Sequence, residues 1–224
     1  PPAVYIALAP PPQQRLEEER IEWRKALTYY LISLSVIWAV HPFMIARSMK
    51  TYIQHSPTAA ATFFLFAMAS LPIAGYLMDE YGRKRVVAYS IMALGAAHSL
   101  LWGLTPENLT AMHIHAAILG TCWSILGVFY LIILANDLSP QEKLAHTYAL
   151  VMAVFAGAIT LSFIAEPILS PSPNIATYIE TMTLFAAVGP LAIAPETLPE
   201  DIIRRKELMR YAKKAKKIVK RTPK

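Results

Sequence analysis

Six apolar stretches, each long enough to reach across a lipid bilayer, follow one another along this chain at short polar intervals. They cover residues 26–46, 58–78, 86–104, 110–135, 144–165 and 175–194. The hydrocarbon core is ~30 Å thick and a helix rises ~1.5 Å per residue, so about 20 apolar residues span it. No water enters that core to bond backbone N–H and C=O groups, and for stretches of this length a helix satisfies them internally. The expected fold is therefore all-α, a polytopic membrane protein with six transmembrane helices. Composition agrees, since 55% of residues are hydrophobic and 16% charged, where soluble domains carry about 25% charged residues. Disorder, collagen and a nucleic-acid-binding tail are excluded as readings of the whole chain. The single cysteine, Cys122, excludes an internal disulfide framework and a multi-cysteine zinc site. Four Gln and three Asn are few for this length and point to a thermophile.

The flanks divide the chain into three parts. Residues 1–25 form a cytoplasmic N-terminal segment, proline-rich at Pro10, Pro11 and Pro12 and then charged from Arg15 to Lys25. It lacks the basic start and short apolar stretch of a cleaved signal. The chain opens on Pro1, which reads as a processed, trimmed or excised chain. Residues 26–195 form the six-helix bundle, and 196–224 a basic tail. In the tail Leu208, Tyr211, Ala212, Ala215, Ile218 and Val219 follow a helical rhythm with lysines between them. Such a helix suits an anionic inner leaflet, at about 1 kcal/mol per basic charge. Docking to a protein partner is the other reading. Without a recognition fold, nucleic acid is not expected as a partner.

Orientation follows from charge. Six spans place both termini and the second–third and fourth–fifth loops on one face. That face carries 19 Lys and Arg residues, against Arg47 and Lys50 on the other. The positive-inside rule puts the rich face, and both termini, in the cytoplasm. The expected location is the plasma membrane of a prokaryotic cell.

The most informative loop is Gly75-Tyr-Leu-Met-Asp79-Glu-Tyr-Gly82-Arg83-Lys84-Arg85. Physically it is a tight turn: Gly82 permits a backbone angle that a side chain disfavours, and Asp79 lies one helical turn from Arg83. A basic loop between spans is often a topology signal and nothing more. This one resembles the second-to-third-helix signature of the major facilitator superfamily, with Gly75, Asp79, Gly82, Arg83 and Lys84 in matching positions and Glu80 departing. Two further stretches fall in the expected order. Asp137 and Pro140 are similar to the family's loop after the fourth helix, although Leu144 and Ala145 replace its arginine and glycine. Pro195-Glu196-Thr197 is similar to the box that closes each half of sugar-porter-like members.

The resemblance implies one six-helix half of a transporter, an inverted 3+3 repeat that moves a small solute by alternating access with a second six-helix bundle. It implies a cytoplasmic gate of charge pairs in which Arg83 and Arg85 meet Asp137 and Glu196. The substituted loop after the fourth span supports an alternative, a transporter-derived structural subunit of a larger membrane assembly.

Ionisable groups within spans are costly and are functional candidates by default. Here they are His41, His98, His113, His115, Glu166 and Glu180, all toward the outer side. Of these, His41, His98 and Glu166 are candidates for proton coupling; the alternative is that they meet headgroups and water. His41-Pro42 adds a candidate break in the first helix. Ser35, Trp38, Cys122 and Ser124 on the first and fourth helices are candidates to line a cavity, or are packing contacts. No phosphate loop, nucleophile elbow or zinc motif is present, so neither an enzyme nor a cofactor is expected. His113 and His115, two apart, do not share a helical face and make no metal pair.

Overall fold

The computed structural model describes residues 12–101, 108–139, 141–169, 173–197, 208 and 211. Among them are six long helices: α1 (Pro12–His55), α2 (Pro57–Tyr81), α3 (Arg83–Leu101), α4 (Leu109–Leu138), α5 (Leu144–Leu169) and α6 (Pro173–Ile193). Each begins or ends within a few residues of an expected span except α1, which extends well beyond both ends of residues 26–46. It also runs without a break through His41 and Pro42, so the expected interruption there is absent. The described residues contain helices and no strand.

Helix ends carry the signals that set them. Pro57 starts α2 at a position where its missing N–H costs no bond. Asn108 caps α4 by accepting from the N–H groups of Thr110 and Ala111. Gly82, at φ 95°, makes the corner between α2 and α3, a conformation that glycine adopts without strain.

Among the described residues, three helices are long and apolar enough to cross a membrane: α2, α4 and residues 144–161 of α5; the apolar part of α6, Thr177–Ile193, is shorter. Six spans were expected. Neither α1 nor α3 is among these three: α3 is 19 residues long and opens on Arg83, Lys84 and Arg85, and α1 has side chains at 40–44 that lie outside the described residues. Ser33, Ser90 and His98 are buried inside the bundle. The outer surface supplies what the interior withholds, with Leu65, Met68 and Ile73 of α2 and Leu161, Phe163 and Ile164 of α5 exposed.

In the packing, α2 lies along α4, and α1 is held by α5 and α6. The third helix joins α4 to α6. The close approach of α2 and α4 is made possible by Gly120, where a Cβ would sit 2.3 Å from the Phe63 carbonyl oxygen. Beside it Ser124 donates its hydroxyl to the Ala67 carbonyl and Ser70 donates to the Thr121 hydroxyl. Near its end α4 widens to a π turn, Phe129–Ile133. Asn136 and the Tyr148 hydroxyl both donate to the Ile132 carbonyl there, and Tyr130 reaches Ser33 of α1 at 2.9 Å. Side-chain donors aimed at a loosened turn keep its carbonyls satisfied where water is scarce.

Candidate functional site

Charges gather at the end of the bundle where α3 begins and α4 and α6 finish. Arg83, the first residue of α3, forms an ion pair with Asp137 near the end of α4 and a second, at 3.5 Å, with Asp79 one turn back on α2. The two carboxylates differ in setting: Asp137 is 10% exposed and Asp79 60%. Screening by water is weak at the first and strong at the second.

Glu196, just past α6, binds the same corner in another way. Its Oε1 accepts from the backbone N–H of Arg83 at 3.0 Å, of Lys84 at 3.2 Å and of Thr197 at 3.1 Å. A carboxylate from a distant segment thus caps the N-terminus of α3, where unpaired N–H groups and the helix dipole favour negative charge. Lys84 does the converse, donating Nζ to the carbonyls of Ala192 at 2.8 Å and Ala194 at 2.6 Å at the end of α6. The Tyr30 hydroxyl of α1 donates to the Pro195 carbonyl at 2.8 Å. A Cβ at Gly82 would come within 2.8 Å of Glu196 Oε2, so glycine there both makes the turn and leaves room for the cap.

Five of the loop candidates, Asp79, Gly82, Arg83, Asp137 and Glu196, therefore meet in one cluster, with Lys84 beside it. Glu196 engages the backbone of Arg83 and Lys84. Gly75 has open space around its α-carbon. Arg85 is exposed and lines a cavity of ≈ 640 Å³ between α2, α3 and α4, which Phe66, Tyr89, Ser90, Thr121 and Cys122 also line.

The remaining candidates separate. Ser124 bonds to α2, and Cys122 faces the α2–α3–α4 cavity. Ser35 is half-buried and donates to the Leu31 carbonyl one turn back. Trp38 is buried, packed edge-on against Trp123 of α4 and Phe155 of α5. The side chains of His41 and Glu166 and, apart from Leu208 and Tyr211, the tail expected to form a basic helix lie outside the described residues.

At the opposite end, His98 of α3 is wholly buried between two partners. Its Nε2 lies 2.8 Å from Glu180 Oε2 of α6, and its Nδ1 lies 3.3 Å from His115 Nε2 of α4. His115 Nδ1 is 2.5 Å from the Tyr52 hydroxyl of α1. Arg47 of α1 sits 3.7 Å from the other oxygen of Glu180 and also donates to the Thr177 hydroxyl. Arg47 and Tyr52 escape a sequence reading because Arg47 looks like a flanking charge and Tyr52 like an interfacial aromatic. His115 and Glu180 are visible as intramembrane ionisable groups, but nothing in their spacing pairs them. Among the described residues, no group of three His, Cys, Asp or Glu side chains is placed to hold a metal ion.

A helical bundle with an apolar exterior and charged clusters at its ends is an integral membrane protein. The sequence profile of the Major Facilitator Superfamily matches residues 26–223, and the chain belongs to that superfamily. The fold is similar to that in a crystal structure of the human organic anion transporter MFSD10 (TETRAN), at a TM-score of 0.51 and 19% identity, covering 85% of this chain and 49% of that one. The chain thus spans about half the length of that transporter. A comparison with curated proteins found no match.

Proposed function

We propose that this chain is a six-helix transporter module that moves a small solute by alternating access together with a second six-helix bundle, and that the Arg83 cluster is its cytoplasmic gate. The observation that carries the reading is Arg83 itself, a single cation joining the ends of α2 and α4 at the start of α3. Glu196 and Lys84 join the same corner to the end of α6. The Arg83–Asp79 pair, with its carboxylate mostly in water, contributes about 0–1 kcal/mol, and the shielded Arg83–Asp137 pair is the stronger tie that must part in each cycle.

The inverted 3+3 repeat has support from the packing. Exchanging α1, α2 and α3 with α4, α5 and α6 maps the α1–α5 contact onto α4–α2 and the α1–α6 contact onto α4–α3, while α3–α6 maps onto itself. A second bundle is supported by the extent of the structural likeness, which covers 85% of this chain but 49% of the transporter's. In this reading the module sits in the plasma membrane of a prokaryotic cell with both termini cytoplasmic, supported by the basic count of 19 to two. Cysteines placed at Gln54 and Lys213 test that topology: a membrane-impermeant reagent applied to intact cells marks the first and spares the second.

The deciding experiment combines mass and flux on gently extracted protein. A particle holding two six-helix bundles, about twice the chain's 24.9 kDa if both are copies of it, is expected to load proteoliposomes with at least one solute from a broad panel. Arg83→Ala or Asp137→Ala should abolish that uptake while leaving the protein inserted and folded. A particle of many other subunits that moves no solute and ignores both substitutions would overturn the proposal. It would favour the structural-subunit reading to which Leu144 and Ala145 lend weight.

A further inference from the structure

We infer that the cavity between α2, α3 and α4 is a binding site for one anionic phospholipid, with its phosphate on Arg85 and an acyl chain lying along the groove. The inference requires that the chain sits in a membrane. It is independent of whether the chain transports a solute.

Three cations stand in a row at the start of α3, and the fold uses two of them. Arg83 pairs with Asp79 and Asp137. Lys84 donates to the carbonyls of Ala192 and Ala194 where α6 finishes. Arg85 is exposed and has neither a hydrogen bond nor an ion pair among the described residues. Two residues beyond Arg83 the helix has turned by about 200°, which carries Arg85 away from Asp137 and onto the rim of the cavity. An exposed cation is ordinary by itself. What sets Arg85 apart is the groove beside it.

That groove is graded from polar to apolar. Two more rim residues are Tyr81, which ends α2, and Tyr89, one turn along α3 from Arg85. They are 62% and 66% exposed, and neither hydroxyl is bonded among the described residues. Below them the walls are Phe66 and Leu77 of α2, Ala93 of α3, and Ile118 and Ile125 of α4. The hydroxyls at that level are already engaged: Ser90 donates to the Val86 carbonyl, and Thr121 accepts from Ser70. Cys122 adds a thiol that packs as a small apolar group. Free donors at one end and apolar walls along the rest fit an amphipathic anion. A wholly polar solute would find nothing below the rim to replace its water.

Size and placement agree. The cavity measures ≈ 640 Å³, within the ~300–1,000 Å³ of small-molecule sites. Its α3 wall runs from Arg85 to Ala93, about 12 Å at ~1.5 Å per residue, against ~15 Å for one leaflet of a ~30 Å core. The rim stands where α2 and α3 meet at Gly82, the headgroup level at which tyrosine settles. A phospholipid at that level needs only to turn one chain into the groove. Charge selects it over the other occupants within reach. The basic tail of this chain would bring more positive charge to Arg85, whereas phosphate complements a guanidinium through paired hydrogen bonds. The tyrosine hydroxyls supply further donors. Seated there, the lipid fills a gap between α2 and α3 that the chain's own side chains leave open.

The test is native mass spectrometry of the full chain, gently extracted from vesicles of equimolar phosphatidylglycerol and phosphatidylcholine. One phosphatidylglycerol per chain should be retained. Arg85→Gln should lower the retained fraction about fivefold, the scale of one basic charge near anionic lipid, and Arg85→Lys should keep most of it. Ala93→Trp sets a large ring in the groove from an exposed position and should expel the lipid with Arg85 still in place. Lys213→Gln with Lys214→Gln, in the tail, should change nothing. Phosphatidylglycerol with a photoreactive acyl chain should cross-link to residues 117–125, the floor of the groove. No retained lipid, equal retention of both lipids, or retention that follows the tail lysines and ignores Arg85 would overturn the inference. So would cross-links spread evenly over the exposed faces of α2 and α5, the mark of a passing annular lipid. Lipid taken up only after removal of residues 208–224 would show that the tail fills the groove, and it counts equally against the proposal.

Discussion

The two ends of this bundle hold charge in opposite ways. At the Arg83 end, charged side chains meet helix termini: Glu196 binds N–H groups that begin α3, and Lys84 binds carbonyls that finish α6. At the His98 end they meet one another, inside the bundle and away from water. Contacts of the first kind can be exchanged for water at little cost, so the helices they join are free to part. Contacts of the second kind have no such substitute, because an uncompensated buried charge or polar group costs several kcal/mol. The first end can trade its contacts for water, and the second cannot.

Four tests probe this contrast, beginning with the largest effect. Glu180→Ala removes the acceptor of both His98 and Arg47 and should destabilise by about 3–5 kcal/mol, the scale of breaking a buried pair. The loss should appear as a large fall in the thermal midpoint of the solubilised chain, with Glu180→Gln milder because it still accepts from His98. A loss no greater than that of the exposed pairs would erase the distinction between the ends.

Next is the Arg83–Asp137 pair, both members of which are largely shielded. A double-mutant cycle with Arg83→Ala and Asp137→Ala should give a coupling of about 1–2 kcal/mol, and additivity would mean the two loops are merely neighbours. Gly82→Ala should cost about 1–2 kcal/mol, since alanine is strained at positive φ and its Cβ crowds the Glu196 cap. Pairing it with Glu196→Ala should relieve the crowding and leave the backbone strain. The smallest effect belongs to Asp79→Ala, under about 1 kcal/mol and fading as salt is raised, because its carboxylate is mostly in water. A salt-insensitive loss there would show a better shielded pair than its exposure implies.

Much of the Arg83 end is readable in the primary structure, because its members lie at helix termini next to turn residues that leave a local signature. Gly82 must be glycine, Asp79 and Arg83 are one turn apart, and Asp137 precedes a Ser-Pro stop. The role of Lys84 as a cap for α6, and that of Glu196 as a cap for α3, are hidden because the partner is backbone more than 100 positions away. At the His98 end the candidates stand out one at a time as ionisable groups in apolar stretches, yet Tyr52 and Arg47 do not. Ser124 and Cys122 stand out by helical position, but that Cys122 lines a cavity between α2, α3 and α4 while Ser124 bonds to α2 is decided by the close approach at Gly120.

Length and apolarity are properties of a segment, so they dictate helices and their approximate ends before any packing occurs. Charge asymmetry likewise acts segment by segment and carries its topological message without a partner. Which buried polar groups face one another depends on the rotation and depth of each helix against its neighbours. Four turns of different helices must coincide for Tyr52, His115, His98 and Glu180 to align, and close packing of side chains rather than any local propensity sets that coincidence. The spans follow from the one-dimensional pattern, whereas the buried contacts among Tyr52, His115, His98, Glu180 and Arg47 come into being when the bundle closes.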